Sequence, residues 1–67
     1  MIAVFAGNMK QFDDFKNRLF YGEEKLRYIA SRRDIIGCTF TSIILHGTYY
    51  DNDDFDELFS ICKGRVI

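Results

Sequence analysis

Two short runs of apolar residues stand out from the polar background of this chain, and neither alternates. Ile2-Ala3-Val4-Phe5-Ala6 leads into Gly7-Asn8, and Ser42-Ile43-Ile44-Leu45 leads into His46-Gly47-Thr48. A strand wetted on one face alternates apolar with polar; an unbroken run reads as a strand buried on both faces. Residues 2–6 and 42–46 are therefore expected to be buried strands. Leu26-Arg27-Tyr28-Ile29-Ala30 does alternate, with Leu26, Tyr28 and Ala30 on one side and Arg27 and Ile29 on the other. That pattern suits an edge strand.

A different period appears between and after these runs. Met9, Phe12, Phe15 (or the stem of Lys16), Leu19 and Phe20 recur at three- and four-residue spacing, which predicts a helix over about residues 9–20. Asn8 is its N-cap, Gln11 completes a capping-box pattern, and Gly22 stops it. Phe55, Leu58, Phe59 and Cys62 mark the apolar face of a second helix, capped by Asp51 or Asn52 and ended by Gly64. Between them, Ser31 caps a short turn through Ile36 that Gly37 ends, and Phe40 packs inward. Arg65-Val66-Ile67 either adds a final strand or frays.

The order β-α-β-β-α predicts a miniature α/β unit of two or three layers, with a short, mostly parallel sheet and two helices, as one domain over residues 1–67. With right-handed crossovers, the shortest consistent layout places strand one in the centre, flanked by two and three, with the helices covering the sheet on one face or on opposite faces. In such sheets a functional crevice lies at the carboxyl ends of the strands. A three-stranded sheet also leaves open edges, which favours pairing with a second copy or a partner.

Size sharpens this picture. A 67-residue chain buries roughly 60% of its unfolded surface, so its core needs large side chains or association. Seven Phe and four Tyr supply the bulk, and Pro is absent. The net charge of −1 conceals a division: residues 1–33 carry +3 and residues 34–67 carry −4. That division disfavours a surface-wide phosphate-binding role. Cys38 and Cys62 are too few for a disulfide framework, so both are expected to be reduced and the protein cytoplasmic. No secretory leader and no membrane-spanning run is visible.

The strand ends gather Gly7, Asn8, Ser31, Arg32, Arg33, His46 and Thr48. One reading is a nucleotide or nucleic-acid site built on Asn8, Ser31, Arg32, Arg33 and His46. Capping and turn chemistry explain the same residues, and neither the further glycines of a dinucleotide loop nor a Gly-Lys-Ser/Thr run is present. Arg27, Arg32 and Arg33, near Lys25, Tyr21 and Tyr28, could hold a strand by stacking; salt bridges to Glu23, Glu24 or Asp34 are the simpler account. Ser31, His46 and Asp51 have the residue types of a hydrolytic triad, which geometry must decide. The cysteines and His46 lack zinc-ligand spacing, so no metal or other cofactor is expected.

The most unusual segment is Tyr49-Tyr50-Asp51-Asn52-Asp53-Asp54-Phe55-Asp56-Glu57, with five acids in seven residues. Acids favour a helix N-terminus, but one or two suffice. It departs from a calcium loop in lacking the turn glycine and the final glutamate. The excess charge beside two tyrosines points to a basic protein surface. The contact residues expected are Tyr49, Tyr50, Asp51, Asp53, Asp54, Asp56 and Glu57. Self-association, with the basic turn of one copy on the acidic segment of another, is a further expectation.

The run Leu26–Ser31, then Asp34, Gly37, Ser42–Tyr50 and Asp54–Leu58, resembles small accessory proteins of tailed bacteriophages. These look like reduced Rossmann-like units without a P-loop. The resemblance spans most of the chain and implies no catalytic residue. It implies an early product, non-catalytic, that binds a host or phage enzyme in the host cytoplasm and alters it, inhibition being the expected form.

Overall fold

The computed structural model describes all 67 residues. One sheet contains β1 (Ile2–Phe5), β2 (Leu26–Tyr28) and β3 (Ser42–Leu45), in the order β2-β1-β3. Both outer strands run parallel to β1, so Val4 faces Tyr28 on one side and Ile44 on the other. Helix α1 (Met9–Asp14) follows β1, and α2 (Phe55–Lys63) follows β3.

The non-alternating pattern of β1 is satisfied on both faces. Ala3 and Phe5 join Ile29, Ile35, Phe40, Leu58 and Cys62 under α2. Ile2, Val4 and Ala6 join Phe12 under α1, with Tyr28 and Ile44 at the margin. The helices therefore cover opposite faces, and the unit has three layers. Phe5 meets Phe55 edge-on at 5.3 Å, and Phe12 stacks on Tyr28 at 5.3 Å.

The second apolar run departs from expectation. In β3, Ser42 and Leu45 are exposed and Ile43 and Ile44 half-buried. Only one strand of three has neighbours on both sides, and β1 holds that place. The β2 edge behaves as its alternation predicts: Leu26 and Tyr28 face α1, and Ile29 faces α2. Ladder pairing ends early, however. Its last bond runs from Ile29 N–H to Val4 O at 3.0 Å, and the outward-facing Ala30 N–H donates to the Asp34 carboxylate at 2.8 Å.

The first helix is corrected at its end. From Phe15 to Leu19 it widens into a π turn, and Phe20 N–H donates to Phe15 O at 3.0 Å. In a regular α-helix a residue five positions on lies about 140° around the axis. The wider turn brings Phe20 back to Phe15, ring to ring at 6.0 Å, and leaves Leu19 exposed. The start of α2 also shifts. Tyr49–Asp51 forms a 3₁₀ turn, and the helix begins at Phe55. Asn52 still serves this end, accepting Asp54 N–H on its side chain at 2.8 Å and Phe55 N–H on its carbonyl at 3.0 Å. The tail forms a single parallel bridge between Val66 and Phe40.

Phe40 is fully buried, and its N–H and C=O hold the tail through Arg65 and Ile67. Phe40→Ala is expected to cost about 3–5 kcal/mol, much of what a small domain has; urea unfolding followed by circular dichroism measures it.

The cysteines are both free. Burial, with Cys38 adding to it, pushes the Cys62 thiol up to about 11. A thiol reagent at mildly alkaline pH should therefore label Cys38, which is half-buried, well before Cys62. Labelling of Cys62 should track global unfolding, as mass spectrometry of the labelled chain would show.

Candidate functional site

The strand exits are joined by one side chain, Gln11. Asn8 caps α1 as expected, its Oδ1 accepting Gln11 N–H at 2.9 Å. The reciprocal half of the capping box is diverted. Gln11 Oε1 instead accepts Gly7 N–H at 2.8 Å and Thr48 N–H at 3.0 Å. Its Nε2 donates to Thr48 Oγ1 at 2.9 Å. The exits of β1 and β3 are thus locked together from the first turn of α1. Gly7 and Gly47 allow this approach. A Cβ at either would overlap Gln11 Oε1, and Gly47 also has φ +61°.

This lock occupies the position where a parallel α/β sheet would receive an anion. The Gly7 and Thr48 N–H groups there are already paired to a neutral carboxamide. Beside it lies an open polar groove of about 470 Å³ that includes Asn8, Lys10, Asp13, Asp14, Arg18 and His46. Its charges balance, and Arg18 is tied to Asp14 at 3.0 Å. His46 rests against the Phe15 ring at 5.1 Å.

Of the nucleotide-site residues, the structure brings Asn8 and His46 to this groove and leaves Ser31, Arg32 and Arg33 outside it. Ser31 N–H donates to the Asp34 carboxylate at 2.9 Å. Ser31 and His46 share no hydrogen bond, so the triad residues are not assembled. Arg27 donates to Asp34 O at 3.0 Å, and Tyr28 is stacked on Phe12, which removes both from a stacking surface. Burial, and then the Asp34 charge, raises the Tyr28 phenol above its usual value. No three His, Cys, Asp or Glu side chains converge as metal ligands.

The acidic segment is tied to the basic turn and faces outward. Asn52 Nδ2 donates to Ala30 O at 3.2 Å, and Arg32 forms an ion pair with Glu57. The basic turn and the acidic segment therefore meet within one chain. Asp51, Asp53, Asp54 and Asp56 are exposed and belong to none of the ion pairs. Tyr50 is 64% exposed, whereas Tyr49 packs inward against Phe55 at 5.1 Å. Tyr49 thus anchors the segment, and Tyr50 with the four aspartates forms its outer surface. Asn52 was legible only as a cap. Its bond to Ala30 joins positions 22 apart and left no local signal.

Comparison with family models, curated proteins and solved structures returned no match. No helix is long and apolar enough to cross a membrane.

Gln11→Ala leaves the Gly7 and Thr48 amides without their acceptor. It is expected to destabilise the fold by roughly 1–3 kcal/mol. Gln11→Glu keeps that acceptor, and the Thr48 hydroxyl can rotate to donate to it, so at neutral pH it should lose less than half as much. Paired denaturant titrations test the ranking.

Proposed function

We propose that this chain acts by binding another protein through the surface formed by Tyr50, Asp51, Asp53, Asp54 and Asp56, with Glu57 at its edge and Tyr49 as its half-buried anchor. The observation that carries this reading is a set of four aspartates without ion-pair partners around an exposed tyrosine, on a segment pinned by Asn52. Helix capping accounts for only part of it: Asp54 is the N-cap of α2 and Asp56 and Glu57 lie in its first turn, which leaves Asp51 and Asp53. Pinning lowers the ordering cost of binding. A tyrosine amid unpaired acids matches a basic surface with an apolar recess.

The partner class is a host or phage protein with such a basic surface, modulated by occupancy of that surface, and inhibition is the simplest outcome. The role is non-catalytic. The strand-end crevice offers little to a nucleotide, because Gln11 fills the amide cradle and Glu57 engages Arg32.

Charge reversal at Asp53, Asp54 and Asp56 should abolish capture of the partner from a bacterial lysate, while Arg33→Ala and His46→Ala retain it. Capture by the parent should weaken steeply with salt. Equal capture by the reversed variant, with its circular dichroism unchanged, overturns the proposal.

A further inference from the structure

The two edges of the sheet are built differently. Along β2 and its approach, Glu23, Glu24, Lys25 and Arg27 place charge beside the strand, the usual deterrent to strand addition. Along β3 there is none. From Ile35 through Tyr50 the chain contains no Lys, Arg, Asp, Glu or Pro.

The β3 edge is also chemically open. His46 N–H donates to Phe5 O at 2.8 Å, so Ser42, Ile44 and His46 turn their backbone groups toward β1. The N–H and C=O groups of Ile43 and Leu45 therefore point away from the sheet. Neither residue takes part in any backbone bond outside the sheet ladders. The Val66 bridge covers this side at Phe40 and does not reach them. The Leu45 side chain is 42% exposed there.

We propose that β3 pairs with β3 of a second copy, antiparallel about a two-fold axis at Ile44, doubling the width of the sheet. The register follows from the outward groups. Ile43 lies opposite the partner's Leu45, and each such pair exchanges two N–H···O=C bonds. Ile44 lies opposite its own copy on the α1 face, and Leu45 covers the partner's Ile43 on the α2 face. At Gly47 the chain turns off the edge, so the incoming strand leaves before it meets the tail at Phe40.

Charge selects this occupant. Near a two-fold axis each side chain meets its own copy, so a charged strand repels itself and a neutral one does not. The acidic surface of the same molecule fails that condition. A basic partner finds nothing on β3 to recognise. A small core also gains apolar burial from the pairing.

Sedimentation velocity over a concentration series, with amide hydrogen exchange at both ends of the series, tests the proposal on the intact chain. The expected result is a monomer–dimer equilibrium in which Ile43 and Leu45 amides gain protection as dimer forms. Leu45→Lys should weaken association about tenfold or more by placing like charges across the axis. Ser42→Lys, at an exposed position that folding does not depend on, should weaken it in the same direction. A monomer up to roughly millimolar concentration, a dimer with Ile43 and Leu45 amides still exchanging at the monomer rate, or undiminished association of both folded variants overturns the proposal.

Discussion

Ile2–Phe5 has a strand on each side and a helix over each face, and the rest of the molecule is arranged around that double burial. A backbone taken out of water on all sides must find partners for every N–H and C=O. Two parallel neighbours provide them along β1. Its side chains then need apolar cover both above and below. Phe12, Phe15 and Phe20 cover one face; Phe40, Leu58 and Cys62 cover the other. The π turn after α1 serves the same demand, because it turns Phe20 inward where a regular helix would turn it away.

Parallel strands leave their loops at one end, and there the chain uses its polar groups on itself. Gln11 reaches across to Thr48 and takes the amides that would otherwise offer themselves to an anion. A carboxamide suits this place because it accepts from two N–H groups and donates to a hydroxyl without carrying charge. The carboxyl end of the sheet is thereby tied together and closed. The exposed chemistry moves outward along the β3 exit, to Tyr50 and the aspartates beyond it.

The two surfaces proposed for binding are of opposite character. The acidic segment is charged, pinned and suited to a partner unlike itself. The β3 edge is neutral, hydrogen-bonding and suited to itself. Both lie on the half of the chain that follows Asp34. Three of the seven basic side chains of residues 1–33 are engaged internally: Arg27 with Asp34, Arg18 with Asp14 and Arg32 with Glu57.

Period and run length determined the elements of this protein. An unbroken apolar run reads as a strand with apolar cover on both faces or as a buried helix segment, and four or five residues are too few for the helix. The strand order also followed, since two parallel crossovers from one central strand have few layouts. The acidic excess was legible because a helix start needs fewer acids than this one has. Tertiary structure decided what composition leaves open. β3 matches β1 in hydrophobicity, yet it lies at the edge, because burial is set by neighbours and not by side-chain type alone. Gln11 resembled an ordinary cap until Thr48, 37 positions away, was folded against it. Local pattern reports local partners; contacts between distant residues exist only once the sheet has brought the strand ends together.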